Sequence, residues 1–186
     1  MIKLTGQQMT GRKAWGTGIC WMVISAALGA QTADPLTAIV RTRFDRIRAD
    51  LEEAADLMPA EKYSFRLTDG QRTFGEWIGH AVSGNYSYCS DMRAQKPPAA
   101  AGQVRHLKAK AELSQALEES FLYCAEAMKD MTDQRALTAG AGGGAPVRGM
   151  VNLVSSQNEH YGNMVGYLRA NNLVPPSTAR AQRQKK

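Results

Sequence analysis

Asn158-Glu159-His160-Tyr161-Gly162-Asn163, continued through Tyr167-Leu168-Arg169 to Val174-Pro175-Pro176-Ser177, is the stretch on which the fold turns. It reads as an amphipathic helix stopped by a diproline, because proline has no amide donor and clashes with the turn before it. His160 lies seven residues after Leu153 and four before Met164, so the three share one face at the helical period. An imidazole on that inward face is either a satisfied core histidine or a metal ligand.

Working back from this helix, which Pro146 opens and which ends near Asn172, three more follow from the same periodicity. The first opens at Asp34-Pro35, with an acid at the N-cap and proline at the first helical position. Its stripe is Leu36, Ile39, Val40, Phe44, Ile47, Leu51, Ala54 and Ala55, and Pro59 ends it. A connector from Ala60 to Gln71 carries the turn signal Asp69-Gly70. The second helix starts at Thr73, with Glu76 three residues on as a capping box, and runs to about Arg93. Gly75, Gly79 and Gly84 lower its propensity but admit another backbone or a ligand. After Pro97-Pro98 and a run of alanines, the third helix spans about Lys108 to Met131 with Leu113, Leu117, Phe121, Cys124 and Met128 as its seam. Thr132 to Pro146 is the most flexible part expected. Its glycines lack the Gly-Lys-Ser/Thr ending and the preceding strand of a phosphate loop. No strand is convincing. The fold class is all-α, a four-helix bundle over residues 31–177.

Residues 1–30 read as a cleaved signal peptide. Lys3, Arg12 and Lys13 form a basic start, and Ile19 to Ala30 is an apolar run too short for the roughly 20 residues of a membrane span. An uncleaved anchor is the alternative. The expected location is therefore exported, periplasmic or secreted. The formal net charge is +6, and loss of those three cations leaves +3. Arg180, Arg183, Lys185 and Lys186 lie in the last nine residues, so the body itself comes to −1. That balance disfavours nucleic-acid binding. Residues 178–186 read as a basic, disordered tail.

Export leaves Cys89 and Cys124 as an even pair in an oxidising compartment, each after a tyrosine. A disulfide between two helices is expected; two buried free thiols are the alternative.

Of the three histidines, His106 stands among basic residues and reads as exposed. His80, three after Trp77 and four before Gly84, belongs to the half-buried side of the second helix. His80 and His160 on different helices can converge in the core, where bundles build metal sites, and imidazole suits zinc, nickel, copper and iron alike. A functional site usually takes three protein ligands and an open position. The residue one turn before His160 on the same face is Ser156, a poor ligand for a borderline metal. Glu159 is chemically better but points about 100° away. Asn163 and Tyr167 fall closer to the His160 face, and with Trp77 they are the candidate pocket residues. Plain core packing is the competing reading of these aromatics.

Arg72-Thr73-Phe74-Gly75-Glu76 with Gly79-His80, Asn85-Tyr86 to Cys89, Ser120-Phe121-Leu122-Tyr123-Cys124, and the stretch from Glu159 to Ser177 together resemble the DinB-like superfamily of four-helix bundles. The likeness covers about Pro35 to Ser177 and points to a branch with exported members. It implies a divalent metal, often nickel or zinc, held by three histidines. His80 matches one and His160 another, while Ser156 stands at the third position. The two cysteines also look like those of the exported branch.

Two functions are compatible with these residues. The first is a metal-dependent hydrolase or transferase acting on a small substrate in the bundle core. The second is a non-catalytic exported bundle that binds a small molecule or an envelope partner. A homodimer suits the architecture. No nucleophile–base pair is visible, so no catalytic residue is assigned.

Overall fold

The computed structural model describes residues 34–140 and 144–185, and the expected signal peptide lies outside them. Among the described residues the regular structure is helical throughout: α1 (Pro35–Leu57), α2 (Phe74–Met92), α3 (Ala99–Gln103), α4 (Lys110–Met128), α5 (Asp133–Leu137), α6 (Pro146–Ala170) and α7 (Pro176–Arg183). The four long helices are those read from the sequence. α2 packs between α4 and α6, and α1 closes the bundle against the same two. No described helix is long and apolar enough to cross a membrane.

Each long helix buries one stripe. On α1 the buried residues are Thr37, Val40, Phe44, Ile47, Asp50, Leu51, Ala54 and Ala55. The expected stripe included Ile39, but that side chain is 70% exposed. Spacings of three and four from Val40 select Thr37 instead, and Ile39 falls about 100° off the seam. The Thr37 hydroxyl is satisfied by donating to the Asp34 carbonyl at 3.2 Å. On α4 the expected seam of Leu113, Leu117, Phe121, Cys124 and Met128 is buried throughout. Phe121 meets Phe44 of α1 edge to face at 5.7 Å.

The helix starts show which signals are local. The capping box of α2 forms as read: the Glu76 amide donates to Thr73 Oγ1 at 3.2 Å, and the Thr73 amide to Glu76 Oε2 at 2.7 Å. The start of α1 does not. Asp34 makes no side-chain cap on its own helix. Instead the Asp133 carboxylate accepts from the amides of Leu36 and Thr37 at 2.9 and 2.8 Å. Asp34 Oδ1 in turn accepts from the Asp133 amide at 2.7 Å. This exchange ties α5 to α1, so the first half of the segment expected to be most flexible is anchored.

Two glycines set close approaches. The Gly75 amide donates to the Tyr63 carbonyl at 2.8 Å, and a β-carbon there would sit 3.3 Å from that oxygen. At Gly149 a β-carbon would lie 2.8 Å from the Tyr88 carbonyl and 2.7 Å from Met92 Cγ, which marks a tight crossing of α2 and α6. Cys89 of α2 and Cys124 of α4 form a disulfide with their Cα atoms 5.2 Å apart, and both are fully buried.

The basic tail departs from expectation. Pro175 and Pro176 end α6, but Pro176 also opens α7, which runs to Arg183. The Arg180 guanidinium binds the carboxylate of Asp50, a buried acid on α1. The Tyr161 hydroxyl adds a second tie, accepting from the Ser177 amide and donating to its hydroxyl, each at 2.9 Å. A buried carboxylate needs a counter-charge, and this need orders residues that composition marks as disordered.

Candidate functional site

The close crossing of α2 and α6 brings His80 and His160 together. Their ring centroids are 4.7 Å apart with the planes inclined by 42°. His160 sits on the buried face shared with Leu153 and Met164, as read, and is 5% exposed. His80 is exposed rather than half-buried: its ring leans on His160 while its other side faces solvent. Gln157, which sequence reasoning passed over, pins the crossing beside it. Its buried side-chain amide donates to the Ala81 carbonyl of α2 at 2.9 Å. The available signal was a polar residue exactly on the seam, four after Leu153.

Trp77 walls the pair, with its ring 6.0 Å from His80 and 5.5 Å from His160 between centroids. Tyr167 holds Trp77 in place. The indole donates to the Tyr167 hydroxyl at 3.2 Å, and that hydroxyl donates to the Arg72 carbonyl at 2.5 Å. The Arg72 guanidinium lies over the indole, 5.1 Å from its centroid. Trp77 and Tyr167 are thus positioning residues behind the imidazoles. Asn163 turns back on its own helix and donates to the Glu159 carbonyl at 3.0 Å.

Desolvation lowers the pKa of both imidazoles, the buried one most. His160 is pushed down from 6.5 to about 4, first by desolvation, then by the neighbouring His80 and by Arg72. His80 is lowered as well, by burial first and Arg72 second, against an opposing pull from Glu159. His160 is therefore neutral at pH 7, the form in which imidazole offers a lone pair.

Ser156 Oγ lies 3.2 Å from His160 Nε2, joined by a hydrogen bond whose direction the tautomer sets. His160 Nδ1 is buried without a hydrogen-bond partner among the described residues. Glu159 is exposed, and no group of three histidine, cysteine, aspartate or glutamate side chains able to hold a metal occurs among the described residues. Exposed as it is, Glu159 is near enough to His80 to act on its charge. The residues present offer a divalent ion two imidazoles, one of them neutral with an unsatisfied Nδ1, while the Ser156 hydroxyl already occupies the other nitrogen, Nε2, of that ring. They do not supply a third strong donor.

Beside the pair, a cleft of about 850 Å³ is walled by the start of α2, the connector before it and the α3–α4 connection. His80 lies on its wall, as do Arg66, Arg72, Arg105 and Lys108. Trp77, Asn163 and Tyr167 do not line it. The glycines of α2 here admit protein rather than ligand, since Gly79 packs under Val104 and Leu113.

A helical bundle in which imidazoles from the second and fourth long helices meet, one buried and one exposed, defines the class of protein. The model of the DinB superfamily matches residues 43–162, and the chain belongs to that family, whose members often bind a divalent metal. No curated protein matches the chain.

Proposed function

We propose that this is an exported DinB-superfamily protein that holds a divalent ion, nickel or zinc, between His80 and His160, and acts as a hydrolase or transferase on a small substrate. The observation that carries this reading is the meeting of two imidazoles from separate helices at 4.7 Å, with His160 neutral at pH 7. When bound, the ion would supply Lewis acidity and lower the pKa of a coordinated water or thiol. His160 offers its lone pair from a dry wall. Ser156 hydrogen-bonds His160 and fixes the plane of its ring. Trp77 excludes water from one side, and Tyr167 keeps the indole in register. His80 faces the cleft, on the side from which a substrate arrives.

Elemental analysis of the protein purified without chelator, beside His160→Ala, tests the reading. Near-stoichiometric nickel or zinc that is lost in the variant is the expected result. Absence of metal from the folded wild type would overturn it. In that case the second reading takes over, a non-catalytic bundle that binds a small molecule or an envelope partner. It is favoured by one observation: the Ser156 hydroxyl already satisfies His160 Nε2 without an ion.

A further inference from the structure

We propose that the cleft beside the imidazole pair binds a small oxyanion, a molecule bearing a carboxylate or phosphate, anchored by Arg72 with the rest of the molecule reaching His80. This deepens the reading above by naming a substrate class, and its test is separable from the metal.

The cleft, at about 850 Å³, is of the size that takes small molecules. Its walls carry four cations, Arg66, Arg72, Arg105 and Lys108, against two acids, Asp69 and Glu76. Among the described residues none of the four cations has a carboxylate within 4.0 Å. The Glu76 carboxylate is engaged by the Thr73 amide at 2.7 Å. Arg66 and Lys108 act on Glu76, but four cations against two acids leave a surplus of like charge on a concave wall, which focuses a positive potential that draws an anion.

The backbone at the start of α2 does not provide the site. The amides of Phe74 and Gly75 donate to the carbonyls of Phe65 and Tyr63 at 2.9 and 2.8 Å, and the Glu76 amide is taken by Thr73. Binding therefore falls to side chains, and Arg72 is the best prepared. Its guanidinium rests on the Trp77 ring and its carbonyl is held by Tyr167, so less freedom is lost when a ligand engages it. The planar fork matches carboxylate and phosphate geometry in a way that lysine does not. Arg72 is also close enough to act electrostatically on both imidazoles. An acid group on Arg72 thus places its molecule next to His80.

Calorimetric titration of the full chain with inorganic phosphate and with succinate, at low salt, tests the proposal. The protein is used as purified and again after metal is stripped and the chelator removed. Wild type is expected to bind at least one of the two anions in both forms, more weakly as salt rises. Arg72→Gln is expected to weaken that binding about tenfold or more, the loss of a charged hydrogen bond. Arg93→Gln, whose guanidinium stacks on Tyr123 outside the cleft, should leave it unchanged. If Arg72→Gln unfolds early, Arg72→Lys keeps the charge without the fork and should still weaken binding several-fold. Unchanged affinity in the Arg72 variant overturns the proposal, as does no binding of either anion. Binding only in the metal-loaded form also overturns it, since the anion would then sit on the ion; binding in the stripped form upholds it even if the metal reading fails.

Discussion

His160 makes the folding stability of the metal-free protein depend on pH in a defined window. In the unfolded chain its imidazole takes a proton near 6.5, and in the fold only at about 4. Between those values the unfolded state binds more protons, so stability rises with pH and is lost on acidification. The interval from 6.5 to about 4 is worth about 3 kcal/mol in full. Of that, about 2 kcal/mol falls between pH 7 and pH 5. The cause is chiefly burial, since the ring is 5% exposed and a charge there loses its water. Urea unfolding of the metal-stripped protein at pH 7 and pH 5, beside His160→Gln, isolates the effect. Other groups titrate in both proteins, so the difference between their losses belongs to His160. Wild type should lose about 2 kcal/mol more than the variant over this window. Parallel losses in the two proteins would refute the account, because His160 would then accept its proton as readily folded as unfolded.

Other perturbations test the frame that holds the pair. Replacing Cys89 and Cys124 by serine should cost about 3–4 kcal/mol in the chain-entropy account of a cross-link closing 35 residues, read by chemical denaturation; native protein that titrates with two free thiols would contradict the bridge. Gly149→Ala forces a β-carbon to 2.8 Å from the Tyr88 carbonyl, so α2 and α6 must part. A loss of about 1–3 kcal/mol in thermal melts is expected, and an unchanged melting temperature would show that the crossing has slack.

The features legible in the sequence are those encoded within a turn or two of helix. The Thr73–Glu76 box and the α4 seam depend on residues three and four apart, and both form as read. The inward place of His160 follows from the same spacing. Two of the misreadings concern partners far along the chain, and the third, at Ile39, is local. Asp34 has the chemistry of a cap, but Asp133 performs that role, close by only because α5 docks on α1. Ile39 counts as apolar in any periodic reading, yet Thr37 takes the seam once its hydroxyl is satisfied locally. Arg180 looks like tail charge until Asp50 is found buried beside it.

The sequence by itself determined four helices, their apolar faces, the presence of an imidazole on two of them and a serine one turn before the second imidazole. These follow from periodicity, capping chemistry and residue identity, which act over short range. Only the tertiary structure decided that the two rings meet at 4.7 Å and that one is buried and the other open. It also drew Arg66 and Arg72 from one connector and Arg105 and Lys108 from another onto a single cleft. The physical reason is that helix packing, through close contacts such as Gly149 against Tyr88, sets which distant side chains share a space, and no local pattern records that crossing.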